Sequence, residues 1–253
     1  MKGSKMNHKV FKKTDIKGRI TVVLVHGAYH GSWCWEEKFI SFFVEKNCTV
    51  ISIDFHDENK HVKVIDYIEY LNNIISQIQG EIYLVSHSLG TAISERYISE
   101  FSPAVTGVVF MAPSPVVKRM RRAFVINLHN IVRKKAEFYF SNRLKSNTVQ
   151  KYINKFKNES KEMEFLMVRK NIPPNYNWKY RTLVLGSQND KCMPLSVIVE
   201  AGMFFCAKII IYERICHDMM LDPEWKLVAK DIYNFIQSVH FFEQELVENN
   251  LEG

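Results

Sequence analysis

The chain has 253 residues, 34 Lys plus Arg against 27 Asp plus Glu, and a hydrophobic content of 47%. These values exclude a disordered chain and leave room for one large domain, or one domain carrying an insertion. The net charge of +7 invites an anionic partner, nucleic acid included, until the charge is mapped along the chain.

The five cysteines (Cys34, Cys48, Cys192, Cys206, Cys216) are odd in number and form no C-x-x-C pair. That argues against a disulfide framework or a zinc knuckle and for a reducing compartment. The first residues, Met1-Lys2-Gly3-Ser4-Lys5, are charged and lead into no apolar signal-peptide core. No apolar run approaches the roughly 18 to 20 residues of a membrane span. A soluble, cytoplasmic protein is expected.

Taken in chain order, short β-branched runs at 20–26, 49–54, 81–86, 105–111, 182–186 and 208–213 read as six strands. Most are continuously apolar, as strands covered on both faces are. Helical patterns occupy 33–45, 64–78, 89–101, 195–203 and 224–241. Strand then helix, repeated, specifies an α/β domain with a mostly parallel sheet.

One stretch breaks this rhythm. From Pro113 to Tyr180 there is no strand signal, only helical segments divided by Asn- and Ser-rich turns and closed by Pro173-Pro174-Asn175. The expected organisation is a core of residues 1–112 and 181–253, with 113–180 inserted as a helical cap. Residues 118–170 hold 15 Lys or Arg against 4 Asp or Glu, a balance of +11, leaving 19 basic and 23 acidic residues elsewhere, a balance of −4. The basic excess belongs entirely to the insertion.

The strongest chemical signal is Leu84-Val85-Ser86-His87-Ser88-Leu89-Gly90. A strand runs into a small-x-Ser-x-Gly turn and a helix follows at once, the setting of a nucleophile elbow. Gly90 meets the need for a small residue in the crowded turn, and Ser86 stands where glycine is usual. The competing reading of Ser88 is an ordinary turn or N-cap serine.

A serine nucleophile needs a base, and the base needs an orienting carboxylate. Asp190 follows the strand at 182–186 and His217 follows the strand at 208–213, so both fall in loops at carboxyl ends of strands. Among competitors, Asp54 also ends a strand on that edge, whereas Asp218 is too close to His217 in sequence to orient its ring by the usual route. His87 adjoins Ser88 and is expected to pack beneath the elbow; His26 is expected to brace the turn after the first strand. The oxyanion donors expected are the backbone N–H groups of Leu89 and Ala28, the second in the loop Val25-His26-Gly27-Ala28-Tyr29. No phosphate-binding glycine loop and no metal-ligand spacing is present, so neither cofactor nor metal is expected.

On these residues the chain resembles the α/β-hydrolase superfamily over nearly its whole length. The segment His26-Gly27-Ala28-Tyr29-His30-Gly31-Ser32-Trp33-Cys34-Trp35 is similar to the branch of plant methyl esterases, hydroxynitrile lyases and small bacterial esterases. The resemblance implies an α/β-hydrolase fold with its cap after the strand ending near Met111, and Ser88, Asp190 and His217 as the triad. It also implies Ala28 as an oxyanion donor. Three departures stand out: Ser86 and Thr91 replace glycines, Phe55-His56-Asp57-Glu58-Asn59-Lys60 replaces a small loop, and Asp218 stands where the lyases carry lysine.

The leading functional expectation is a serine hydrolase acting on a carboxylic ester, with Phe124, Val125, Ile126, Leu128, Ile131, Phe138, Tyr139 and Phe140 offering an apolar acyl pocket. The alternative is a thioesterase, cyclase or acyltransferase served by an acidic carrier protein or coenzyme A. There Lys118, Arg119, Arg121, Arg122, Arg133, Lys134 and Lys135 would meet the anion, unless they form only a solvated face or dock on anionic membrane. A non-catalytic ligand receptor is the third reading. Nucleic acid is not an expected partner, because the basic residues surround the expected active-site entrance.

Overall fold

A computed structural model describes residues 6–12, 20–55, 62–116, 136–159 and 178–251. The strands are β1 (Asn7–Phe11), β2 (Ile20–Val25), β3 (Thr49–Asp54), β4 (Glu81–His87), β5 (Gly107–Met111), β6 (Arg181–Ser187) and β7 (Lys208–Tyr212). They form one sheet in the order β1-β3-β2-β4-β5-β6-β7. All neighbours are parallel except β1, which pairs antiparallel with β3. The sheet therefore has seven strands where the apolar runs predict six. The additional strand, Asn-His-Lys-Val-Phe, is an edge strand with four of its five residues exposed. It carries no apolar run because only one neighbour covers it, and its Lys9 binds Glu36 at 2.6 Å.

The central strands are apolar on both faces because helices cover both faces. Val22–Val25, Leu84, Val85, Val108–Met111 and Leu183–Leu185 are all fully buried. The helices are α1 (Trp33–Glu36), α2 (Phe39–Glu45), α3 (Val64–Ile75), α4 (Leu89–Phe101), α5 (Ala136–Tyr139), α6 (Ser146–Ile153), α7 (Leu195–Phe204) and α8 (Trp225–Leu251). The single helix predicted over 33–45 is broken at Lys38, whose φ of −141° leaves helical geometry. The Lys38 ammonium donates to the carbonyls of Leu221 (3.2 Å) and Asp222 (3.3 Å), tertiary partners that periodicity does not register. Of the stretch between β5 and β6, residues 112–116, 136–159 (with α5 and α6) and 178–180 are described.

The strand order sets the position of the site. From β2 the chain steps outward to β3, then crosses back to β4 on the other side of β2 and continues to β7. The winding reverses between β2 and β4, and a crevice opens beyond the carboxyl ends of strands at such a switch point. The loop after β2 and the turn after β4 face each other across it, since Val25 lies opposite Ser86 in register.

Candidate active site

Ser88 follows the last residue of β4 and precedes the first of α4, with φ 49° and ψ −118°. A positive φ at a non-glycine residue costs of order 1–3 kcal/mol and persists only where the surroundings impose it. The constraints are visible. The Ser88 N–H donates to the Met111 carbonyl at 3.0 Å, fixing the turn to β5. Gly90 lies so close to β2 that a Cβ there would sit 2.5 Å from the His26 carbonyl oxygen and 2.7 Å from that of Val25.

The two departures around the turn are structurally absorbed. Ser86, fully buried, shares a hydrogen bond with Ser94 at 2.6 Å. The Thr91 hydroxyl donates to the Ser88 carbonyl (2.7 Å) and accepts from the Ser114 N–H (2.9 Å), while the Ser114 hydroxyl donates to the same carbonyl (3.0 Å). Thr91→Val keeps the shape but leaves the Ser114 N–H without its acceptor in a buried setting. A loss of about 1–3 kcal/mol in unfolding free energy is expected, read by denaturant titration.

The structure brings Ser88, His217 and Asp190 into one chain of contacts. Nε2 of His217 is 3.1 Å from the Ser88 Oγ, and Nδ1 of His217 is 2.9 Å from Oδ2 of Asp190. Asp190 is held by its other oxygen, which accepts from the N–H groups of Cys192 (2.7 Å) and Met193 (2.8 Å). His217 must reach back from β7, three strand positions from β4 and roughly 14 Å at ordinary strand spacing. Its loop is secured at several points. Ser187 donates to the Ile215 carbonyl (2.5 Å), and the buried Asp222 accepts from the Cys216 N–H (3.0 Å) and from Arg143 (2.8 Å). His87, fully buried, donates from Nε2 to the His217 carbonyl at 3.0 Å.

Electrostatics distinguish the two adjacent imidazoles. Burial, joined by the neighbouring His217 and His30, pushes His87 well below the usual histidine range and keeps it neutral. Burial also acts to lower His217, but the charge and hydrogen bond of Asp190, with Asp218 behind, outweigh it and leave its pKa raised. Burial first, then nearby carboxylates, pushes the Cys192 and Cys216 thiols well up, so neither supplies a thiolate beside Ser88.

The other sequence candidates are placed as follows. His26 donates from Nδ1 to the Gly27 carbonyl (2.8 Å) and accepts from the Phe55 N–H at Nε2 (3.1 Å), bracing the loop as expected. Asp54 stands against Gly31 and 4.0 Å from His26, while Asp190 is the carboxylate bonded to His217. The Ala28 loop abuts the elbow: a Cβ on Gly27 would lie 3.1 Å from the Ser88 Cβ. Leu89 opens α4, where N–H groups lack intrahelical acceptors. Lys118, Arg119, Arg121, Arg122, Arg133, Lys134 and Lys135 lie outside the described residues, as do Phe124, Val125, Ile126, Leu128 and Ile131. Of the remaining apolar candidates, Tyr139 has its ring centroid 6.1 Å from that of His217, Phe140 packs on Tyr152 and Phe156, and Phe138 is partly buried against the core.

Two tertiary links have no local pattern in the sequence. Residues 157–159 run beside Tyr29, the Lys157 N–H donating to its carbonyl (2.9 Å) and Glu159 accepting from its N–H (2.7 Å). His30 joins Asp218 across 188 positions at 2.8 Å. The position of His30 inside the 26–35 segment is its one sequence correlate. Among the described residues, His87-His217-Asp218 and Asp190-Cys192-His217 each bring three ligand atoms within 4.8 Å of one another. Both groups draw on His217, whose ring nitrogens already face Asp190 and Ser88. No helix among the described residues is long and apolar enough to cross a membrane.

The comparisons with known proteins agree with this architecture. Residues 22–183 match the model of the alpha/beta hydrolase family, and the chain belongs to that family. It is 32% identical over 106 residues to methyl jasmonate esterase 1 of Vitis vinifera, which covers 37% of this chain and 40% of that protein. It is 29% identical over 103 residues to pheophorbidase of Raphanus sativus, covering 37% and 39%. The matched stretch thus spans about two fifths of either relative. An esterase from Exiguobacterium antarcticum superposes with a TM-score of 0.73 over 93% of this chain and 96% of that one, at 14% identity, a likeness of fold.

Proposed function

We propose that the protein is a serine hydrolase that cleaves a carboxylic ester through an acyl-enzyme on Ser88. The observation that carries this reading is the continuous line Ser88 Oγ–His217 Nε2–His217 Nδ1–Asp190 Oδ2, at 3.1 and 2.9 Å, ending on a serine in a strained turn.

In the proposed reaction the Ser88 oxygen attacks the ester carbonyl as Nε2 of His217 takes its proton. Asp190 accepts from Nδ1–H, holds the tautomer that leaves Nε2 free, and stabilises the imidazolium. The N–H groups of Ala28 and Leu89 receive the oxyanion of the tetrahedral intermediate. The imidazolium then returns its proton to the departing alkoxide, giving the alcohol and the acyl-enzyme. Water, deprotonated by the same ring, releases the acid and regenerates Ser88.

We place residues 136–159 over the site as part of a cap. The packing of Tyr139 near His217, and of Phe156 on His30 at 4.8 Å between centroids, supports this. An apolar roof of that kind suits an apolar acyl group, the class suggested by the name of the methyl jasmonate esterase relative. The +11 balance of residues 118–170 favours a second reading, acyl transfer from an acidic carrier or coenzyme A.

A substrate series separates the two. Short p-nitrophenyl esters should turn over with kcat/KM at least tenfold above carrier-bound thioesters, and charge reversal at Lys118, Arg119, Arg121 and Arg122 should leave ester turnover unchanged. Preference for the carrier substrate, lost on charge reversal, would replace ester hydrolysis with the second reading.

A further inference from the structure

His30 is nearly fully buried and has no part in the proposed proton transfer, yet both of its ring nitrogens are engaged with the site. Nδ1 lies 2.6 Å from the carbonyl oxygen of Ala28, and Nε2 lies 2.8 Å from Oδ2 of Asp218. Ala28 carries the expected oxyanion N–H, and Asp218 directly follows His217. A single side chain therefore spans the two loops whose separation must be right for the tetrahedral intermediate.

The contacts are of the strong kind. The Ala28 carbonyl can only accept, so Nδ1 donates to it, and Nε2 and Oδ2 of Asp218 share the proton of the second hydrogen bond, whichever of the two carries it. In either arrangement the link from Ala28 through His30 to Asp218 is unbroken. Asp218 is wholly buried, and its own N–H donates to the Tyr139 carbonyl at 2.9 Å. The His30 ring is gripped on its faces and edges by Trp33, stacked at 5.3 Å, and by Phe156 and Tyr139 at 4.8 and 6.0 Å. Its orientation is thus fixed by packing as well as by hydrogen bonds.

We infer that His30 is a positioning residue: through Ala28 and Asp218 it sets the oxyanion loop and the His217 loop in register with each other. It touches neither substrate nor reacting atoms. The inference rests on the serine-hydrolase reading and adds to it a determinant of transition-state binding. Misplacement of an oxyanion donor by a fraction of an ångström weakens the transition state more than the bound substrate, so kcat should fall and KM should hold.

The two nitrogens can be tested separately. In His30→Asn the amide nitrogen stands where Nδ1 stood and keeps only the Ala28 contact. In His30→Gln it stands where Nε2 stood and keeps only Asp218. Turnover of a p-nitrophenyl ester is measured per active site titrated with a fluorophosphonate, alongside inhibition by an alkyl boronic acid, which mimics the tetrahedral adduct. Each variant is expected to lose about tenfold to a hundredfold in kcat per titrated site, with KM within about threefold and boronic acid affinity falling in parallel.

Removing one partner of a buried pair also destabilises, so the double variant His30→Phe with Asp218→Leu is included. It exchanges the whole pair for apolar groups, which can preserve stability, and it should show the same kcat loss. A purely structural role would lower yield and Tm and leave kcat per titrated site unchanged in all three proteins. That result, or a KM effect alone, overturns the inference while Ser88 labelling stands. A parent protein with neither labelling nor turnover overturns the serine-hydrolase reading itself, and the inference with it.

Discussion

Ser88→Ala is expected to lower kcat for an ester by about 10⁵- to 10⁶-fold while leaving the fold intact. The size of the effect follows because, among the described residues, no thiolate stands ready to replace Ser88: burial holds the Cys192 and Cys216 thiols protonated. The fold should survive because the interactions that shape the turn use backbone. The Ser88 N–H binds Met111, and its carbonyl accepts from Thr91 and Ser114, none of which needs the hydroxyl. Alanine at φ 49° is strained as serine is, so the strain is carried over rather than added. Steady-state kinetics, with circular dichroism and Tm beside them, check both halves. Activity within tenfold of the parent would mean that a group other than Ser88 performs the attack.

Asp190→Asn is expected to cost roughly 10³- to 10⁴-fold in kcat, the order seen when a serine–histidine pair loses its orienting carboxylate. The local geometry explains why an isosteric change should act so strongly. The N–H groups of Cys192 and Met193 both point at Oδ1, so the amide oxygen of asparagine will take that place. Its NH₂ group is then turned toward Nδ1 of His217 and requires an acceptor there. The ring shifts its proton to Nε2 and can no longer receive one from Ser88.

The pH profile should move as well. The base must be neutral to act, so activity is present above the His217 pKa and lost as pH falls through it. In the parent that pKa is raised above 6.5, because Asp190 and Asp218 outweigh the effect of burial. Without the Asp190 charge, burial dominates, and the acid limb of the residual kcat/KM should shift to lower pH. A limb that stays in place would show that the titrating group is not His217.

The sheet and the three strand-end residues could be read from the sequence because each rests on a local pattern. Continuous apolar runs mark buried parallel strands, and Ser88, Asp190 and His217 each come just after one. Strand β1 left no such trace: an edge strand with one neighbour stays largely exposed and carries charge, so Val10 is half exposed and only Phe11 packs inward. The break at Lys38 depends on carbonyls 183 and 184 residues away, and the His30–Asp218 link on a partner 188 residues away. Pairings of this kind are products of the folded topology, so no window of sequence displays them. Thr91 illustrates the same limit. In sequence it is a departure from glycine, and only the fold reveals a hydroxyl clamped between Ser88 and Ser114.

The central claim, a nucleophilic Ser88 activated by His217, is tested most directly by labelling with a fluorophosphonate followed by intact-mass measurement and peptide mapping. The expected result is one adduct per chain, located on Ser88, absent in Ser88→Ala and formed at least a hundredfold more slowly in His217→Ala. Ester turnover by a protein that takes no label, or a label mapped to any other residue, would contradict it.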